Sequence, residues 1–266
     1  MKTNIDSIDF NELYKAQRDL SLSSVKTQDD WDKKAPSFNE SALKSTYADE
    51  FLNLVNLHGV SSVLDFACGA GALSLKVAKL VDRVYAYDYS EQMLYFLNQN
   101  AKNEEIKNIK TEQKAFEDSW DEVPICDVVF ASRCLEVDDL KAVVSKLISK
   151  AKRSVYMSFK VQKSFVEKEI LTAINRKVQA KPNFIYLINI LVGMGYLPRV
   201  EYIYSPNCSK ILCEDDLMQK VQWSLNDTLN KDEIKALKEY YQSGKKAYEA
   251  PMIWAFIAID LDKKVD

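Results

Sequence analysis

An α/β fold built on a seven-stranded, mostly parallel sheet with helices on both faces is what this sequence predicts, and three observations predict it. From residue 62 onward, apolar runs of five or six residues alternate with longer helical patterns, the mark of βαβ units. A G-x-G turn, Gly69 and Gly71, falls between the first apolar run and the first helix. The second run ends in an acid, Asp88, nineteen residues past Gly69.

The elements follow in order. Residues 1–57 read as an N-terminal helical cap, with helices in "DFNELYKAQRDL" and "SALKSTYADEFLNLVNL" and a polar loop, "DDWDKKAPSFNES", between them. Residues 58–266 form the main domain. "SVLDF" is its first strand, "ALSLKVAKLV" a helix, "VYAYD" a strand and "SEQMLYFLNQNAKN" a helix. "NIKTEQ", "DVVFAS" and "SVYMSF" continue the sheet, with the helix "DDLKAVVSKLISKA" before the last of these. An insertion at about 160–196 precedes the sixth strand and contains the apolar helix "FIYLINILVGMGY", closed by Gly195. "RVEYIYS" and "PMIWAFIAID" are strands six and seven, the last a candidate hairpin partner of the sixth, with the polar helix "KDEIKALKEYYQS" between them. Right-handed crossovers place the C-terminal ends of the parallel strands on one edge, where ligands bind.

The totals narrow the function. The chain has 266 residues, 47% hydrophobic and 28% charged, with a formal net charge of −3, so no overall positive field recruits nucleic acid or an anionic membrane. Only six of its 36 basic residues are arginine, the residue that bidentate phosphate and base readout favours. Five cysteines, Cys68, Cys126, Cys134, Cys208 and Cys213, form no CxxC pair and read as reduced residues of a cytoplasmic protein. No secretory leader or membrane span is expected, and no metal.

The decisive residue is Asp65, at the end of the first strand. A G-x-G turn can face a dinucleotide diphosphate, but a carboxylate there would repel it. Two unit charges at ~4 Å interact by ~4 kcal/mol at an effective dielectric of 20. S-adenosylmethionine has no phosphate; its sulfonium and ammonium favour an acid, and helix N-terminal amides can take its carboxylate. Asp88 suits a ribose diol, because two hydroxyl donors match two carboxylate oxygens. The third glycine of a dinucleotide fingerprint is replaced by Ser74.

"VLDFACGAGALSLKVAK", "VYAYDYSEQML" and "DVVFASRCLE" together resemble the class I S-adenosylmethionine-dependent methyltransferases, a Rossmann-like fold. The resemblance implies S-adenosyl-L-methionine as cofactor. It places Asp65, Ala67, Cys68, Gly69 and Gly71 around the methionine part, and Asp88 on the ribose. Tyr89, Met93, Ala115 and Phe116 fall beside the adenine, with Glu117 replacing the family's usual acid. Ala67 stands where the family most often has glycine; its methyl is expected to be tolerated, with the tightest approach at Gly69. Ser132 and Arg133 would sit beside the transferred methyl.

The acceptor is less visible. Glu136 is the better candidate base, with Asp138 read as a helix N-cap, and Arg133 a candidate for substrate binding. His58, the single histidine, is explained by a helix end. The Asn/Asp-Pro-Pro-aromatic segment of base N-methylation is replaced by "ASRC", and no Pro-Cys pair supports cytosine chemistry. Phe38, Tyr47, Tyr186 and Asn189 are the expected substrate pocket. A small-molecule acceptor is therefore the leading expectation, with no nucleic acid or membrane partner and a homodimer left open. A non-catalytic cofactor-binding module and a protein or RNA methyltransferase are the alternatives.

Overall fold

Strand β1 (Ser62–Phe66) pairs in parallel with β2 (Arg83–Asp88) on one side and β4 (Cys126–Ser132) on the other. β3 (Ile109–Gln113) extends the sheet beyond β2, and β5 (Ala151–Lys160) beyond β4, both in parallel. β7 (Met252–Asp260) runs antiparallel to both β5 and β6 (Arg199–Ser205). The order is β3-β2-β1-β4-β5-β7-β6, so the chain winds outward in two directions from β1 and β4. That reversal opens a crevice above their C-terminal ends. The computed structural model describes residues 4–21, 26–206, 211–245, 247–248 and 251–264.

Alternate residues of the strands feed two cores. Leu64, Phe66, Val129, Ala131, Val155 and Met157 face one, packed under α1 (Phe10–Ser21), α6 (Leu140–Ser149) and α8 (Phe184–Gly193). Val63, Val84, Ala86, Val128, Phe130 and Phe256 face the other, under α3 (Tyr47–Asn53), α4 (Ser74–Val77) and α5 (Glu91–Asn103). Strands covered on both faces read as unbroken apolar runs, which is why β4 and β5 stood out in the sequence.

The cap differs from its expected form. The segment read as a polar loop is the middle of a helix, α2 (Gln28–Lys44), with Pro36 inside it. Thr27 and Asp30 form a capping box that starts the helix. Proline interrupts an interior helix bond at a cost of about 3 kcal/mol. Burial of Ala35, with Trp31 and Phe38 packed beside it, offsets that. Two further helices escaped the sequence reading. α7 (Lys168–Ala173) has only six residues, and α9 (Glu214–Leu225) carries three acids in its first turn. They pack with α10 (Lys231–Gln242) around Ile170, Leu217, Val221 and Leu237 as a helical unit with its own core. The chain between β6 and β7 thus joins the insertion before β6 in one structure.

Candidate cofactor and acceptor site

The turn after β1 is held by its own backbone. Cys68 N–H donates to Tyr87 O at 3.0 Å. Gly69 N–H donates to Asp88 Oδ2 at 2.8 Å, and Ser90 N–H to Asp88 Oδ1 at 2.9 Å. Gly69 and Gly71 adopt φ of 55° and 89°, which glycine reaches without penalty. A Cβ on Gly71 would stand 2.7 Å from Leu97 Cγ, whereas one on Gly69 would meet the Phe38 ring at 3.2 Å. Within the protein, the tightest packing around the turn is therefore at Gly71. Ala67 has φ 57°, so its burden is conformational: an L side chain in the left-handed region costs roughly 1–2 kcal/mol.

Two buried acids face this turn. Asp65 is 1% exposed and accepts from Ser74 Oγ at 2.5 Å. Burial, followed by the charge of Asp88, pushes its carboxyl up to about 7. Asp88 is 5% exposed and is pushed up to about 6, by burial and then by Asp32. Neither acid has an ion-pair partner among the described residues. The Cys68 thiol rises well above its usual range through burial and the two acids, so it stays protonated.

Helix α2 lies directly over the turn. Trp31, Ala35 and Phe38 pack with Ala70 and Met93. Asp32, which sequence reasoning missed, accepts from Ser90 Oγ at 2.5 Å and from Gln92 N–H at 3.2 Å. It thereby latches α2 to the N-terminus of α5, where an anion is favoured. Phe38, expected in the acceptor pocket, covers the turn. Tyr89 is half-buried between these elements, with its carbonyl accepting from Gln113 Nε2 at 3.0 Å.

The loop after β3 departs from expectation. Ala115 N–H donates to Asp118 Oδ2 at 2.8 Å, so the acid engaged there is Asp118 and not the exposed Glu117. Phe116 stacks on Phe66 at 4.8 Å and belongs to the core, together with Trp120.

At the ends of β4 and β5 the chemistry changes sign. The hydroxyls of Tyr47, Ser132 and Ser158 interlock at 2.7, 2.5 and 3.2 Å. Arg133 has φ 60°, and its N–H donates to Ser158 Oγ at 3.0 Å. Its guanidinium lies 4.2 Å from the Tyr47 ring centre and 5.9 Å from that of Trp254. Glu136 accepts from Lys160 Nζ at 2.6 Å and Lys181 Nζ at 3.2 Å. Burial opposes its ionisation, but the two lysines win and hold its carboxyl below the usual range. Glu136 is thus an ion-pair partner, poorly suited to the base role expected of it. Lys160 is fully buried and is pushed down to about 8, chiefly by burial.

Other expectations move by small or large steps. Asp139, not Asp138, caps α6, accepting from Ala142 N–H at 2.9 Å; Asp138 pairs with Arg18. Tyr186 donates to Gln17 and packs edge-on against Tyr14. Asn189 donates to Ile185 O at 2.8 Å and faces an outer groove with Ser7 and Lys141. Tyr186 thus serves the α1–α8 contact, while Asn189 bonds within its own helix. His58 is exposed beside Arg153, at the opposite edge of the sheet. Cys134 lies by Phe66 O at 3.8 Å, Cys126 is buried and Cys213 exposed; Cys208 lies outside the described residues. Among the described residues no helix is long and apolar enough to cross a membrane, and no group of acids, cysteines or histidines could hold a metal.

The donor set at the turn fits S-adenosylmethionine on one observation above others: two acids are buried at the turn, and among the described residues no cation pairs with them. A ligand carrying positive charge and hydroxyl donors satisfies both. The family model described as a methyltransferase domain matches residues 63–154. An uncharacterised protein of Haemophilus influenzae is 33% identical over 97% of this chain and 99% of its own length. Among solved structures, the [4+2]-cyclase SpnF is 13% identical with a TM-score of 0.59, covering 92% of this chain and 99% of that one. Magnesium protoporphyrin IX methyltransferase from Synechocystis, solved with S-adenosylhomocysteine, is 17% identical with a TM-score of 0.50, covering 93% and 95%. Haemonchus contortus phosphoethanolamine N-methyltransferase 2 is 16% identical with a TM-score of 0.54; it covers 89% of this chain, which spans 60% of its length. These structural likenesses speak for the fold. With the methyltransferase-domain match laid over the strands and turn that build the acid pair, residues 63–154 carry a domain of the S-adenosylmethionine-dependent methyltransferase family, and the whole chain belongs to one family with the Haemophilus influenzae protein.

Proposed function

We propose that this chain transfers a methyl group from S-adenosylmethionine to a small-molecule acceptor held at the ends of β4 and β5. The observation that carries the reading is the aromatic cover that α2 and the helical unit build beside the turn after β1. α2 and the helical unit meet there, with Trp31 edge-on to Trp223 at 5.3 Å and Lys26 Nζ donating to Trp223 O at 2.7 Å. Such an aromatic cover suits a small ligand better than a polymer.

S-adenosylmethionine, when bound, supplies an electrophilic methyl on a sulfonium. The chain's own residues bind, orient and exclude water. Asp88, ionised, would accept from ribose hydroxyls, and Asp65 would face positive charge. Gly69 and Gly71 keep the turn open to close approach, with Ala67 and Cys68 completing it. The tryptophan and phenylalanine of α2 keep water from the turn. Tyr47, buried and with its phenol pKa raised by that burial, stays neutral and fixes the hydroxyls of Ser132 and Ser158. Much of the rate then comes from alignment.

The test is calorimetric titration with S-adenosylhomocysteine, beside NAD, on the natural chain and on Asp88→Ala. We expect micromolar binding of S-adenosylhomocysteine, none of NAD, and an affinity about 10- to 100-fold weaker in the variant. Turnover of S-adenosylmethionine with pooled small metabolites follows. Absence of binding would overturn the cofactor assignment; binding without any turnover would favour a non-catalytic module.

A further inference from the structure

Arg133 stands apart from the other arginines. Arg18 and Arg176 are spent on carboxylates, Arg153 on the carbonyls of His58 and Gly59, and Arg199 on Leu54 O. Arg83 is exposed. Arg133 is half-buried, yet among the described residues its guanidinium makes no hydrogen bond or ion pair. It stacks instead on Tyr47 and Trp254. Its backbone is held at φ 60° by bonds from its N–H to Ser158 Oγ and O, a conformation that costs of order 1 kcal/mol. The result is a planar fork of five donors, immobilised by aromatic faces at the edge where methyl transfer is proposed.

The surroundings extend the positive charge. Trp254 lies 6.4 Å from Phe165, and Phe165 is flanked by Lys160 at 4.7 Å and Lys181 at 5.4 Å. Lys160 and Lys181 share a single carboxylate, Glu136. Lys26 gives its ammonium to a carbonyl, Trp223 O. Of these four cations only Lys160 and Lys181 are ion-paired, and both to one acid, inside a chain whose net charge is −3.

We propose that the methyl acceptor is a small organic acid, its carboxylate held bidentately by Arg133 and its body lying against Trp254 and Phe165. The proposal rests on the methyltransferase reading and sharpens it. Guanidinium and carboxylate match in plane and spacing, and the aromatic walls favour a flat body. Burial holds Lys160 and Lys26 down near about 8, and a bound anion relieves part of that cost.

The test uses benzoate and cinnamate, their neutral amides, and inorganic phosphate, titrated with and without S-adenosylhomocysteine. The natural chain is compared with Arg133→Gln and Arg133→Lys. We expect the acids to bind and the amides and phosphate not to. Arg133→Gln should lose about 10- to 100-fold in acid affinity, and Arg133→Lys less, because charge survives while the fork is lost. Unchanged thermal unfolding and S-adenosylhomocysteine binding would show that both variants fold. Equal binding of acids and amides, undiminished binding to Arg133→Gln, or binding of phosphate alone would overturn the proposal. Failure of S-adenosylhomocysteine to bind the natural chain would sink the methyltransferase reading alone, since the carboxylate arm is read without it as well.

Discussion

The two halves of the crevice are opposite in charge and in construction. Above β1 and β2 the surface is acidic and made largely of backbone: a turn, two carboxylates and amides a few residues apart. Above β4, β5 and β7 it is basic and aromatic, assembled from side chains that lie far apart in the chain: Tyr47, Arg133, Lys160, Phe165, Lys181 and Trp254. The difference teaches that a short run of chain builds the first half through its own geometry, while the second half depends on side chains that only the finished fold brings together.

The comparison breaks most sharply at Gly71. Gly71→Ala adds a Cβ 2.7 Å from Leu97 at φ 89°, combining left-handed strain with overpacking for a loss of about 3 kcal/mol. Thermal unfolding should fall by roughly 5–10 °C; an unchanged midpoint would mean the turn is not rigid. Next comes Asp32→Ala, which removes the latch on α5 and should weaken S-adenosylhomocysteine binding about 10-fold. Acid binding at Arg133 should not change, and a loss at both sites would join the halves into one unit.

The buried acids give a pH signature. Their folded pKa values, about 7 for Asp65 and about 6 for Asp88, lie above the unfolded value near 3.9. The folded chain therefore holds more protons between about pH 4 and 7. The pair's contribution to stability is full below pH 4 and is lost as pH rises through 6 and 7. Other carboxyls, such as Glu136 and Asp139, shift the opposite way, so the signal is the difference between natural chain and Asp65→Asn. We expect the variant to gain relative stability from pH 5 to 7.5 without cofactor. S-adenosylmethionine affinity of the natural chain should rise over the same window. The smallest effect is at Ala67: Ala67→Gly relieves the left-handed residue and should stabilise by about 1 kcal/mol, read as a midpoint about 2–4 °C higher.

The same division governs what was legible in the sequence. Asp65, Gly69, Gly71 and Asp88 fall within one strand–turn–helix–strand segment, so spacing alone places them together. Lys160, Phe165 and Trp254 carry no local motif; a β5–β7 pairing, Lys160 opposite Trp254, brings them to one place. α2 was hidden because polar residues and Pro36 mask a helix whose one buried stripe is short: Ala35 and Ala42. Thr27 with Asp30 was the available signal. For α9 it was Asn226, the left-handed residue that ends the helix. Glu136 misled because its position fits a base, while the lysines that disable it arrive from β5 and from the segment before α8.

The placement of β7 has a consequence for how the molecule is made. β7 comes from residues 252–260, yet lies between β5 and β6. During synthesis at roughly 5–20 residues per second, β1 to β5 emerge first and can close the acidic half on their own. β6 has no neighbour to pair with until β7 arrives, and Trp254 arrives with it. A nascent chain therefore carries a finished turn before it owns the aromatic wall that Trp254 completes, and the bare edge of β5 is the surface a chaperone would have to guard in the interval.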